Sequence, residues 1–209
     1  MKTVHVRIFV LCFCGMVLFM LVGCASPIST KSSRFYVLSP MAGVETAKQE
    51  VSAETGNISI SIGTVSLPKY LRKSQIVTRT GNNELHLAEF DRWAGKIEED
   101  IGRVIAENLA YVLASDKVLS YPAIASVDTD YRIEIDIIRF DGSLGESAEL
   151  IARWVIFNKQ GNILKSITST HIIEPVQDIT YTDMVAAQSR ALAALSHELA
   201  AAILQLPGK

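Results

Sequence analysis

The residues of this chain that could do chemistry are few and scattered. There are three cysteines, Cys12, Cys14 and Cys24, and four histidines, His5, His86, His171 and His197. Cys12 and Cys14 fall inside an apolar run over residues 8–22, whereas Cys24 follows that run behind Gly23. No histidine of the body has a second His or Cys at the spacing of a metal site. Asp128-Thr129-Asp130 opens like a calcium loop but lacks the glycine and glutamate that would complete it, so it predicts the start of a strand. Glu98, Glu99 and Asp100 are consecutive. On a helix they fan out over neighbouring faces and suit a solvated first turn, favoured by the dipole, rather than an acid/base pair. A nucleophile elbow, a Gly-rich phosphate loop and H-E-x-x-H are all missing. The sequence therefore predicts no enzyme and no metal or cofactor. Its one chemically distinctive group is the Cys24 thiol.

What precedes Cys24 gives that thiol its meaning. Lys2, His5 and Arg7 lead into an apolar run of about 15 residues. A spanning helix needs roughly 20, so the run has the length of a secretory h-region. Residues 25–33 are small and polar. Leu21-Val22-Gly23-Cys24 resembles the lipobox of bacterial lipoproteins. The resemblance implies that residues 1–23 are a cleaved signal peptide and that Cys24 becomes the acylated N-terminus. Cys12 and Cys14 would be discarded, and acylation accounts for the one remaining thiol of an exported chain. Anchoring through several acyl chains is stable where a single myristoyl chain is marginal. Ala25 stands where an aspartate is associated with inner-membrane retention, which implies the outer membrane and a body facing the periplasm.

Of the 209 residues, 186 would remain, enough for one domain with a substantial core. Losing Lys2 and Arg7 takes the formal charge from −2 to −4. No basic block survives, which argues against nucleic acid as a partner. A second apolar stretch of spanning length is absent too, and with no disulfide available the fold must rest on packing.

Residues 24–33 predict a lipidated tether whose nine residues after the cysteine span at most roughly 30 Å. Arg34-Phe35-Tyr36-Val37-Leu38 predicts a first strand, and residues 41–56 a polar surface loop. Ile58, Ile60 and Ile62 alternate with Ser59, Ser61 and Gly63, the period of a half-buried strand. Residues 75–79 and 84–88 flank Gly81-Asn82-Asn83 as a hairpin. A first long helix is expected from an Asp91 N-cap through Trp93, Ile97, Ile101, Val104, Ile105, Leu109, Val112 and Leu113. Residues 131–140, 148–158 and 163–173 predict three strands of an antiparallel meander, with Asp141-Gly142 turning the chain into a loop through Gly145 and Ser147 that is longer than a two-residue hairpin, and Lys159-Gln160-Gly161-Asn162 making the next hairpin. The middle strand is apolar on both faces and is expected to be covered on both. An alanine-rich helix over residues 179–206 closes the chain. The whole is an α+β fold, an antiparallel sheet with two long helices packed on one face, as a single domain over residues 34–209.

One stretch is unusual for a plain scaffold. Residues 67–93 interleave Pro68, Tyr70, Leu71, Phe90 and Trp93 with Lys69, Arg72, Lys73, Arg79 and Arg92. Aromatic residues and arginine are enriched where proteins meet, although Trp93 and Leu71 could equally cap the core. Leu67-Pro68-Lys69-Tyr70-Leu71 followed by Gln75-Ile76-Val77-Thr78-Arg79 resembles the central motif of the PqiC-like ABC-type transport auxiliary lipoproteins. Phe35-Tyr36-Val37-Leu38, Phe90-Asp91-Arg92-Trp93-Ala94 and the Phe140-Asp141-Gly142 ending fit the same family. Lys73-Ser74 departs from it, where an acidic or arginine residue and then proline would be expected. The resemblance implies an outer-membrane lipoprotein that docks a periplasm-spanning MCE-domain protein, in systems linked to lipid movement and envelope integrity. Leu67, Pro68, Tyr70, Leu71, Arg79, Arg92 and Trp93 are the docking residues expected on that footing. An alternative is a carrier holding lipid between helix and sheet. Edge strands and the alanine-rich helix would permit a homo-oligomeric ring.

Overall fold

Alternation of isoleucines with polar residues produces the longest strands, and the computed structural model describes them within residues 31–41, 58–121 and 128–206. Cys24, the signal segment and most of the expected 41–56 loop lie outside the described residues. The body from Ser33 onward forms one compact unit. Its strands are β1 (Arg34–Tyr36), β2 (Ile60–Ser66), β3 (Gln75–Gly81), β4 (Glu84–Trp93), β5 (Val118–Ser120), β6 (Tyr131–Ser143), β7 (Ser147–Asn158) and β8 (Ile163–Pro175). Helix α1 spans Ile97–Val112 and α2 spans Tyr181–Leu204.

The α+β class with two helices holds as expected. The strands, however, divide between two sheets, a five-stranded one in the order β5-β2-β6-β7-β8 and a three-stranded one in the order β1-β4-β3. Strands β6, β7 and β8 make the antiparallel meander, whereas β2 runs parallel to both β5 and β6, and β1 parallel to β4. Helix α1 packs on β2 and β5, and α2 on β7 and β8, covering one face of the larger sheet. Ile101, Ile105 and Leu109 of α1 and Leu192, Leu195 and Leu199 of α2 meet Ile62, Ile133, Leu150 and Ile156 there, all buried. Buried Asn108 of α1 donates to Ser196 of α2 at 3.3 Å and accepts from the Met41 backbone at 2.8 Å.

Three expectations need correction. Asp91 does not cap α1, because β4 continues through Trp93 and the helix starts only after Lys96. Asp91 accepts instead from Arg34 Nε at 2.7 Å and the Tyr36 hydroxyl at 2.8 Å, which fastens β1 to β4. Helix α2 starts at Tyr181, where Thr180 accepts from the Asp183 backbone N–H at 3.1 Å, an N-cap of the ordinary kind. Strand β7 lies inside its sheet, between β6 and β8, but the helices cover it on one face only. Leu150, Ala152, Trp154 and Ile156 are buried under the helices, while Ile151, Val155 and Phe157 are half-buried.

Asp141-Gly142 does not turn the chain either. Strand β6 carries on to Ser143, and the turn closes through Glu146 N–H to Ser143 at 3.1 Å, with Gly145 at φ +75°. Gly142 is required for another reason: a Cβ there would stand 2.0 Å from the Ser147 carbonyl oxygen. Gly142→Ala should therefore cost about 1–3 kcal/mol in urea unfolding. Gly81→Ala, with nothing within 4 Å of the added carbon, should stay within about 0.5 kcal/mol.

Candidate docking site

The segment between β2 and β3 is built around turned-in apolar side chains. Pro68 has no N–H to continue a ladder, and its carbonyl accepts from Leu71 N–H at 3.0 Å to close a turn. Leu67 and Leu71 enter the core. At the far end of the loop, Trp93 N–H donates to the Ser74 carbonyl at 2.7 Å, and the Trp93 side chain is buried in the same core.

Tyr70 and Arg79 reach a common target. The Tyr70 hydroxyl donates to Asp141 Oδ2 at 3.0 Å, while Arg79 donates to Oδ1 through Nε at 2.7 Å and to Oδ2 through Nη2 at 3.3 Å. Arg139 adds a third partner, Nε to Oδ1 at 2.9 Å. The Asp141 side chain is 0% exposed, so its charge is sustained by these donors alone among the described groups. A register shift between Ile137 and Arg139 leaves Ile138 out of the pairing and exchanges the faces of the strand beyond it. The shift sends Phe140 to the core and turns Arg139 and Asp141 together to the opposite face. Arg139 pairs further with Glu149, which meets His171 Nε2 at 2.7 Å. A polar line thus crosses from β3 through β6 and β7 to β8.

Of the expected docking residues, Leu67, Leu71 and Trp93 are core, Tyr70 and Arg79 are committed to Asp141, and Pro68 and Arg92 are partly exposed. What the loop between β2 and β3 offers to solvent is Lys69, Arg72, Lys73 and Ser74. The loop is thus brought together as a unit, but with its apolar members facing inward. Asp141 was missed as a site residue because Asp-Gly is a strong turn signal. The pair Ile137-Ile138, which breaks strict alternation, was the signal for the phase change that buries it.

An apolar groove of about 510 Å³ runs along the outside of α2, between Val37, Pro40 and Met41 on one wall and Val185, Ala186 and Ala193 on the other. It does not lie between helix and sheet, where buried side chains fill the interior. No three His, Cys, Asp or Glu side chains converge as a metal site among the described residues. No helix among them is long and apolar enough to cross a membrane.

Burial, and then the neighbouring Asp141 charge, raise the Tyr70 phenol above its ordinary value of 10.0. The stability that neutral Tyr70 contributes is intact below pH 10.0 and is lost as pH rises through its higher folded-state value. Tyr70→Phe should cost about 1.5–3 kcal/mol at neutral pH, the range for a bond to a charged acceptor. It should also flatten the fall in stability above pH 10.0, read from urea midpoints across the alkaline range.

Relatives were identified by sequence and by fold. The Escherichia coli K12 protein "Intermembrane transport lipoprotein PqiC" is 25% identical over 114 residues, 54% of this chain and 59% of that one. Its Shigella flexneri counterpart matches to the same extent, so the alignment spans about three fifths of these curated relatives. Among solved structures, an uncharacterized protein superposes with a TM-score of 0.66 at 18% identity, covering 83% of this chain and 99% of the other. A Xanthomonas campestris protein does so with a TM-score of 0.60 at 17% identity, covering 80% and 93%. Those two likenesses establish the fold alone. The family model of the ABC-type transport auxiliary lipoprotein component matches residues 36–200, from the end of β1 to the last turns of α2, and with nearly the whole body so matched this chain belongs to that family.

Proposed function

We propose that this chain is an outer-membrane-anchored periplasmic lipoprotein serving as the auxiliary subunit of an MCE/ABC-type lipid transport system. It docks the MCE-domain partner and supports envelope integrity. The family match over residues 36–200 carries this reading, since the family is a transport auxiliary component and not an enzyme class. In it the lipid on Cys24 fixes the body at the membrane, and the loop between β2 and β3 meets the partner. Leu67, Tyr70, Leu71, Arg79 and Trp93 shape that loop from beneath, while Pro68 and Arg92 take part at its surface. Self-association as a ring is supported by β8, a 13-residue edge strand with Ile163, Ile167 and Ile173 exposed.

The groove beside α2 supports a second reading, a carrier that holds a lipid acyl chain. Native mass spectrometry of the purified chain separates the two: the docking subunit comes out empty, the carrier with lipid bound.

Two measurements test the anchor and the docking. Cys24→Ser should move the protein out of the outer-membrane fraction and abolish the acyl mass increment on the mature N-terminus. Retention of the variant in that fraction would refute anchoring through Cys24. The unaltered chain, extracted in detergent, should co-purify with the MCE-domain protein of the same cells; failure to do so removes the docking reading.

A further inference from the structure

Most cations of the described residues are matched by carboxylates, and four of the unmatched ones lie on the loop between β2 and β3 or on β4. Among the described residues, Arg72 and Arg92 are the arginines that form no ion pair, and Lys69 and Lys73 beside them form none either. Register and hydrogen bonding put Arg72, Lys73 and Arg92 together, and Lys69 lies earlier on the same loop. Arg92 stands opposite Gln75 across β3 and β4, its Nη1 lies 3.5 Å from Ser74 Oγ, and Lys73 and Arg72 precede Ser74 on the loop. Arg92 Nε is buried and without a hydrogen-bond partner among the described groups, and Nη2 has only a 3.4 Å contact to the Glu89 carbonyl. On a chain with formal charge −2, this is a local concentration of uncompensated positive charge.

We infer that the loop between β2 and β3 recognises an acidic protein surface, with carboxylates of the docking partner pairing Lys69, Arg72, Lys73 and Arg92. This rests on the docking reading above and names the chemistry of the partner's side. Two observations favour a protein over an anionic bilayer. The loop is held at fixed points, by Leu67 and Leu71 in the core, by Tyr70 on Asp141 and by Ser74 on the Trp93 N–H, as suits a surface matched to defined carboxylate positions. Leu67 and Leu71 point inward and Tyr70 is held by Asp141, so the loop offers no leucine or free aromatic ring to insert below the headgroups.

The test uses the full chain in detergent and the periplasmic region of the MCE-domain protein from the same genome. The double variant Arg72→Glu/Lys73→Glu should weaken binding by at least about tenfold, mostly through a slower on-rate, and binding by the unaltered chain should fall as salt rises. Lys165→Glu, a reversal of the same sign at an unpaired lysine on β8, should leave binding unchanged, and circular dichroism should show all variants folded. Binding that ignores both the double reversal and salt overturns the inference while leaving docking intact. No binding by the unaltered chain overturns the docking reading and this inference with it. A last arm adds vesicles of phosphatidylglycerol or phosphatidylcholine. Capture by the anionic vesicles that the double reversal abolishes, with partner binding unchanged, would make the loop a bilayer contact and also overturn the inference.

Discussion

Removing a carboxylate from water is expensive unless donors replace the lost hydration, and Asp141 is fully removed. Its donors come from three places in the chain: the loop after β2, strand β3, and its own strand β6. The small sheet and the large one cannot separate here without stranding that charge. Their relation is therefore fixed by electrostatics at this point as much as by apolar contact. From Arg139 the same line runs on through Glu149 to His171, so the anchoring point is continuous with the uncovered face of the larger sheet.

The Asp141 clamp explains the unusual polarity of the loop. Tyr70 has to turn inward to reach the carboxylate, and Leu67 and Leu71 on either side of it turn inward to fill the core beneath. What is left for solvent is cationic. Asp91 performs a similar service at the other seam of the small sheet, where Arg34 and Tyr36 hold the three-residue β1 parallel to β4. Arg34 is ten residues beyond Cys24 in sequence, so the fastening falls where the chain arrives from the expected anchor. Two ionic clusters thus fasten the small sheet, one within it and one to the larger sheet, beside the core contacts of Ile76, Val77, Ala88 and Trp93.

Much of the large sheet and its helices was legible because their signals are local. Ile133, Ile135 and Ile137 alternate, and Leu192, Leu195 and Leu199 recur at helical spacing; such periods survive any tertiary arrangement. The site was less legible. Leu71 and Trp93 looked equally suited to a partner or to a core, because composition records apolar area but not which side of it faces water. Phe90-Asp91-Arg92-Trp93 looked like a helix start because Asp is a good N-cap, yet the same four residues alternate well enough to extend β4.

The sequence by itself determined the lipobox-like end, the α+β class, the meander and the two amphipathic helices. Each is carried by neighbouring residues at a fixed period or spacing. Only the tertiary structure decided that Asp141 and Asp91 are buried clamps, that the strands form two sheets, and that the loop turns its apolar side chains in and its cations out. Those outcomes depend on groups dozens of residues apart competing for one buried charge or one core volume, a competition that no local pattern records.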